Sequence, residues 1–232
     1  KSKKKKKLTQ PIIFLPYLYI FFSSQFKKLI QHLLFIKSDK DIPSCRDKNF
    51  GLAESIISGV TQTLNKYDRV IVMEDDLITS PYFLNYMNEA LDRFVDEEHV
   101  ISIHGYVYPV KGPLPEAFFL RGADCWGWAT WQRVWSDYDK NIKFWENFKT
   151  TNEWKNLFNN NIEKRYWTKI FNKVFNNKID SWAYPWTLCL WKYNKLVITP
   201  KVNLVTNIGF DTEATHTYNT GEKFDYNISK LS

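Results

Sequence analysis

Residues 69–79 read Arg-Val-Ile-Val-Met-Glu-Asp-Asp-Leu-Ile-Thr. Four unbroken apolar residues, Val70 to Met73, run straight into three carboxylates, Glu74, Asp75 and Asp76. An apolar run without alternation suits a strand covered on both faces, as inner strands of a parallel sheet are. Three adjacent carboxylates repel one another. They stand at a strand end either as a solvated, charged loop or because a hard cation cancels the repulsion. Upstream, Leu52, Ile56, Val60 and Leu64 recur every four residues, with Ala53 and Ile57 widening the stripe, which predicts a helix over 51–66. Downstream, Ser80 and Pro81 offer an N-cap and a first-turn proline for a helix carrying Phe83, Met87, Leu91 and Phe94. Helix, strand and helix in tight alternation predict an α/β fold. In an open α/β sheet, ligands bind beyond the carboxyl ends of the strands, which is where the acids stand.

Further along, Val100 to Ile103 and Phe118 to Leu120 read as short strands on either side of a loop holding Pro109, Pro113 and Pro115. Ala129 to Trp135 reads as helical. Residues 140–178 carry helical stripes such as Trp154, Phe158 and Ile162. A helix holding Trp186 to Trp191 and a strand Val197 to Thr199, closed by Pro200, complete the pattern. No internal repeat is visible, and the last twenty residues are polar. The organisation expected is a basic tail over 1–10, one domain over 11–217 and a polar tail over 218–232.

The net charge of +7 invites a polyanion partner, but six lysines fall in the first seven residues and the remainder is close to neutral. No nucleic-acid partner is expected, and any contact with a membrane periphery is assigned to this basic N-terminus. The apolar run at 11–22, PIIFLPYLYIFF, is short against the roughly 20 residues of a membrane span, and two prolines interrupt it. It is read as a buried strand or a surface-associating segment, with a signal or anchor as the alternative. Cys45, Cys125 and Cys189 are far apart and odd in number, so neither a disulfide framework nor a zinc site is expected. A reducing, cytoplasmic location fits, including the inner face of a membrane.

Three further stretches could carry chemistry. HGYVYP (104–109) and RGADCWGWATW (121–131) place Gly105, Gly122 and Gly127 where tight turns or close ligand approach need them. Trp126, Trp128 and Trp131 beside them serve either as a platform for a sugar ring or as core filling. Asp124 can bond sugar hydroxyls or cap a turn. In IDSWAYPW (179–186), Asp180 is a general base if burial raises its pKa, or the N-cap of the helix that follows. Asn207, Gly209, Asp211 and His216 lie in a polar stretch near the C-terminus.

Taken in order, N-x-G-L-A, V-M-E-D-D-L-x-x-S-P-x-F-L, S-I-H-G-Y, L-R-G-A-D-C-W-G-W-A-T-W, D-S-W-A and N-I-G-F-D-x-x-x-T-H resemble a family of bacterial sugar transferases with the GT-A fold. The stretch from Glu74 to Phe83 is also similar to the corresponding part of the N-acetylglucosaminyltransferase I family. The resemblance spans roughly residues 46–217. It implies a mixed sheet flanked by helices and a metal-dependent, inverting transfer of sugar from a nucleotide-diphosphate donor to an acceptor hydroxyl. A UDP-sugar donor, a glycan or glycolipid acceptor and a setting in bacterial surface glycan assembly are implied with it. On this reading Asp76 is the ligand of Mn²⁺ or Mg²⁺, and Glu74 and Asp75 contact the donor's ribose or sugar. Asp180 is the catalytic base. His104, Gly105, Asp124, Trp126, Gly127 and Trp128 shape the donor and acceptor pocket, and His216 lies in a loop that folds over the diphosphate. The segment before Arg46 departs from the family pattern, so the nucleotide-binding part is expected to be short or altered. The competing expectation is a catalytically degenerate sugar- or nucleotide-binding protein of the same fold.

Overall fold

The computed structural model describes residues 12–14, 51–74, 76–110 and 112–208. Asp75 and His216, and the tails at 1–10 and 218–232, lie outside the described residues. The architecture is mixed α/β. Strands β1 (Ile12–Phe14), β2 (Arg69–Met73), β4 (Val100–His104), β5 (Ala117–Leu120), β6 (Trp128–Trp131) and β7 (Leu196–Pro200) form one sheet in the order β1-β2-β6-β4-β7-β5. β1 runs parallel to β2, and β4 parallel to β7; β6 is antiparallel to both of its neighbours, and β5 to β7. A two-stranded ribbon pairs β3 (Leu77–Thr79) with β8 (Val205–Asn207).

The four apolar residues of β2 are buried, as their unbroken run requires. Helix α1 (Leu52–Tyr67) lays Ala53, Ile56, Val60 and Leu64 on the sheet, all at most 1% exposed. It stops at Asp68, whose φ of 63° is a left-handed C-cap donating its N–H to the Leu64 carbonyl. Helix α2 (Phe83–Arg93) buries Phe83, Met87 and Leu91 completely. Its N-cap is Tyr82. Ser80 does not cap it; instead its carbonyl closes the turn to Phe83 N–H at 3.1 Å and its hydroxyl accepts from Tyr82 N–H at 3.3 Å.

Two expectations from pattern fail. Ala129 to Trp135 is not one helix. Trp128–Trp131 is a fully buried strand between β2 and β4, and only Gln132–Trp135 (α3) turns helical. The segment pairs with β2 along its whole length and with β4 at Trp128 and Ala129, and these ladders outweigh its local preference. Ile162 does not continue the stripe of Trp154 and Phe158, being 74% exposed.

The sheet and its covering helices share one core. A second core gathers Ile142, Trp145, Phe148, Trp154, Phe171, Val174 and Leu188. It is built by α4 (Trp145–Phe148), α5 (Asn152–Asn156) and α6 (Asn161–Phe175) against α7 (Ala183–Lys192). Among the described residues no helix is long and apolar enough to cross a membrane.

Candidate functional site

Because β6 is antiparallel, its amino end lies at the same sheet edge as the carboxyl ends of β2 and β4. The register is explicit: Trp128 stands opposite Val72 on one side and His104 on the other. Gly105 N–H then donates to the Gly127 carbonyl at 2.7 Å, just beyond the ladder. Glu74, Asp76, His104 and the Asp124–Trp126 turn are thereby brought to one edge.

The chain leaving β7 straps this edge. Asn203 Oδ1 accepts from Val107 N–H at 2.6 Å, and Leu204 N–H donates to the Gly105 carbonyl at 2.8 Å. Ser80 N–H donates to the Leu204 carbonyl at 2.8 Å. The strap then pairs with the three residues after the acids. Asn207 Nδ2 donates to Asp76 Oδ2 at 3.0 Å, and Ile208 N–H donates to the Asp76 carbonyl at 2.8 Å. Asn207 thus orients the Asp76 carboxylate from 131 residues away, a pairing that neither local periodicity nor spacing reveals. Its only trace in the sequence is that Asn207 opens the N-I-G-F-D stretch.

Opposite Asp76, the Asp124–Trp126 turn is folded on itself. Asp124 Oδ1 accepts from Trp126 N–H at 2.8 Å, and Tyr108 also bonds the carboxylate. Burial nonetheless outweighs these bonds and raises the Asp124 pKa above the ordinary carboxylate value. Asp124 N–H donates to His104 Nε2 at 3.3 Å. His104 is only 2% exposed, and burial lowers its pKa to about 3, so it is a neutral acceptor here. Between the two acidic segments sits Cys125. Burial pushes its thiol well above the usual value, and the charges of Glu74, Asp124 and Asp76 push it the same way. Glu74 and Asp76 thus lie near enough to Cys125 to act on it through space, and carboxylates gathered at one edge favour a cation.

The aromatic residues divide. Trp128 is buried and stacks on Trp182 at 4.9 Å and 17°, part of a pile with Trp135 and Trp186. It is core filling and offers no face to a ligand. Trp126 is half-buried and meets Tyr106 edge to face at 4.6 Å. Gly105 and Gly127 are buried too, and what approaches their backbone is the Phe83 ring. His104, Gly105, Gly127 and Trp128 can therefore shape a pocket only by holding the Asp124–Trp126 turn, and not by touching its contents.

Asp180 lies at the side of this edge, two residues before Trp182. Its side chain is 66% exposed, with Lys140 Nζ 4.0 Å away; Lys140 also pairs with Glu54 at 3.2 Å. A Cβ on Gly51, at the start of α1, would stand 3.7 Å from Asp180 Oδ2. The burial that would raise its pKa is absent. Nor does it cap α7, whose N-cap is Trp182 and whose Tyr184 N–H reaches Ser181 Oγ at 3.4 Å.

Among the described residues no group of three or more His, Cys, Asp or Glu can hold a metal ion alone. The donor chemistry that is present, one or two carboxylates at an open sheet edge, fits a small hard cation that takes its remaining ligands from substrate phosphates and water. Compared with known families and curated proteins, the sequence matches no family model and no curated relative.

Proposed function

We propose that the chain is a metal-dependent glycosyltransferase of the GT-A type, transferring a sugar from a nucleoside-diphosphate donor to an acceptor hydroxyl with inversion, in bacterial surface glycan assembly. The observation that carries this reading is the meeting of Glu74 and Asp76, at the carboxyl end of a buried strand, with the Asp124–Trp126 turn and the Asn207 strap. A negative edge beyond an α/β strand is the expected place for a cation-bound diphosphate. Asp76, oriented by Asn207, would hold Mn²⁺ or Mg²⁺, with Glu74 and Asp75 turned to the donor's ribose or sugar. The ion, when bound, supplies positive charge against the departing diphosphate. Trp126 offers the half-buried aromatic edge against which a sugar ring can rest.

Asp180, open to solvent beside the same edge, accepts the proton of the acceptor hydroxyl. That oxygen bonds to the anomeric carbon while the bond to the diphosphate breaks, and the diphosphate leaves with the electron pair. Attack from the face opposite the leaving group inverts the anomeric centre.

The test uses Asp76→Ala. Calorimetry should show UDP binding that requires Mn²⁺ in the parent and loses the metal-dependent heat in the variant. Sugar release from UDP-sugars should fall to background. Turnover that survives Asp76→Ala would overturn the metal assignment, and a parent without any metal-dependent heat would favour a catalytically silent binding protein of this fold.

A further inference from the structure

We propose that α6 docks the protein onto a membrane surface rich in anionic phospholipid. One face of α6 is committed to the second core, where Phe171 is 0% and Val174 5% exposed, and where Asn172 Oδ1 accepts from Trp145 Nε1 at 2.9 Å. The other face carries Lys164, Arg165, Lys169 and Lys173, with Lys178 just past the helix end. Together they line a shallow groove of 440 Å³ whose only other lining side chains are amides and a hydroxyl. No carboxylate lines it. Among the described residues none of the five cations forms an ion pair.

Arg165, Lys169 and Lys173 succeed one another at four-residue spacing, an arrangement that destabilises a helix by like-charge repulsion unless something neutralises it. With a rise of about 1.5 Å per residue, the row extends along most of the helix, so its complement is an extended anionic surface and not one bound ion. Beside the cations, Ile162 is 74% and Tyr166 55% exposed, four residues apart. Exposed apolar groups alongside a line of cations are what a helix resting in the headgroup layer presents: the cations meet phosphates while the apolar groups dip toward the acyl boundary. A nucleic-acid strand would use the cations and Tyr166 but gives Ile162 no partner. Docking of this kind is peripheral.

The experiment is co-sedimentation of the full chain with vesicles of phosphatidylcholine alone, or of phosphatidylcholine and phosphatidylglycerol in equal parts. Binding is expected only to the anionic vesicles and should weaken as salt is raised. Each cation near such a surface contributes about a fivefold change in partitioning, so R165Q/K169Q/K173Q should lose roughly a hundredfold. The six lysines at the N-terminus are a separate source of charge, so the triple variant is compared with its parent both with and without residues 1–7; the loss should persist in both backgrounds. I162S/Y166S should weaken binding while leaving its salt dependence unchanged. The proposal is overturned if the parent binds neutral and anionic vesicles alike, or if the triple variant partitions like the parent. It is equally overturned if α6-dependent binding is found to a single-stranded RNA oligonucleotide and not to vesicles.

Discussion

At Gly127 the backbone takes a φ of 65°, and a Cβ there would stand 2.9 Å from both Phe83 Cε2 and Val205 Cγ1. Left-handed strain of about 1 kcal/mol adds to an overpacking cost of about 1–3 kcal/mol, since both neighbours are fully buried. Gly127→Ala should therefore lower stability by about 2–4 kcal/mol, read as a shift in the urea midpoint at unchanged m-value. Gly122→Ala is the internal control, because nothing lies within 4 Å of its added methyl, and it should change stability by less than about 0.5 kcal/mol. If the two variants were equal, the Phe83 contact would not be what demands glycine at 127. The same position shows what single residues reveal before folding is known. The W-G-W spacing around Gly127 announces a turn, but whether a ligand or a phenyl ring occupies the space beside it depends on Phe83, forty-four residues earlier in the chain.

Among the elements, α2 is joined to β4 by a turn whose carbonyls point at one guanidinium. Arg133 donates from Nε to Val95 O at 2.9 Å, and from Nη2 to Phe94 O, Glu97 O and Val100 O at 2.9–3.1 Å, while lying over the Trp131 ring at 4.7 Å. Only a planar fork reaches that many acceptors at once. Arg133 is solvent-accessible, which moderates the effect, so Arg133→Met should cost about 1–2 kcal/mol. Arg133→Lys should recover less than half of it; full recovery in thermal unfolding would mean that charge alone matters. Elements of this kind differ in legibility. α1 and α2 follow from their own apolar stripes because each has one surface to bury against, and β2 follows from an unbroken aliphatic run of β-favouring residues. β6 does not, since Trp-Ala-Thr-Trp runs into Gln132–Trp135 without a break and mixes small and polar residues with its tryptophans, so its strand character comes from the ladders of β2 and β4. β3 is equally silent: three residues after a charged turn become a strand only because Val205–Asn207 returns to pair with them. The place of Glu74 and Asp76 beyond β2 was legible from the apolar run before them, whereas Asn207 and Tyr108 were read only as parts of polar or turn-rich stretches, because their contacts to Asp76 and Asp124 are made by chain return.

At the scale of the whole molecule, one buried neutral imidazole stands where the sheet edge meets the turn of the candidate site. His104 ends β4, is 2% exposed, and accepts the Asp124 N–H that closes the turn of the candidate site. Its pKa falls from 6.5 in the open chain to about 3 in the fold because burial penalises the charged ring. The unfolded chain therefore binds a proton near pH 6.5 that the folded chain refuses until about pH 3. Stability is fully present above pH 6.5 and drains away as the pH falls through that window, at up to about 1.4 kcal/mol per pH unit. Asp124 acts with the opposite sign. Its raised pKa lets the folded state keep a proton that the unfolded state has lost above pH 3.8, so Asp124 favours the fold toward the acid side. The difference between parent and His104→Gln isolates the histidine, because Gln Oε1 reaches the place of Nε2 and can still accept from Asp124 N–H but has nothing to titrate. Urea unfolding between pH 7 and pH 4.5 should show the parent losing stability more steeply than the variant. The variant is less stable at pH 7, since Gln leaves part of the ring's volume empty, and the two curves should approach each other in acid. Parallel curves would mean that the imidazole is not held neutral.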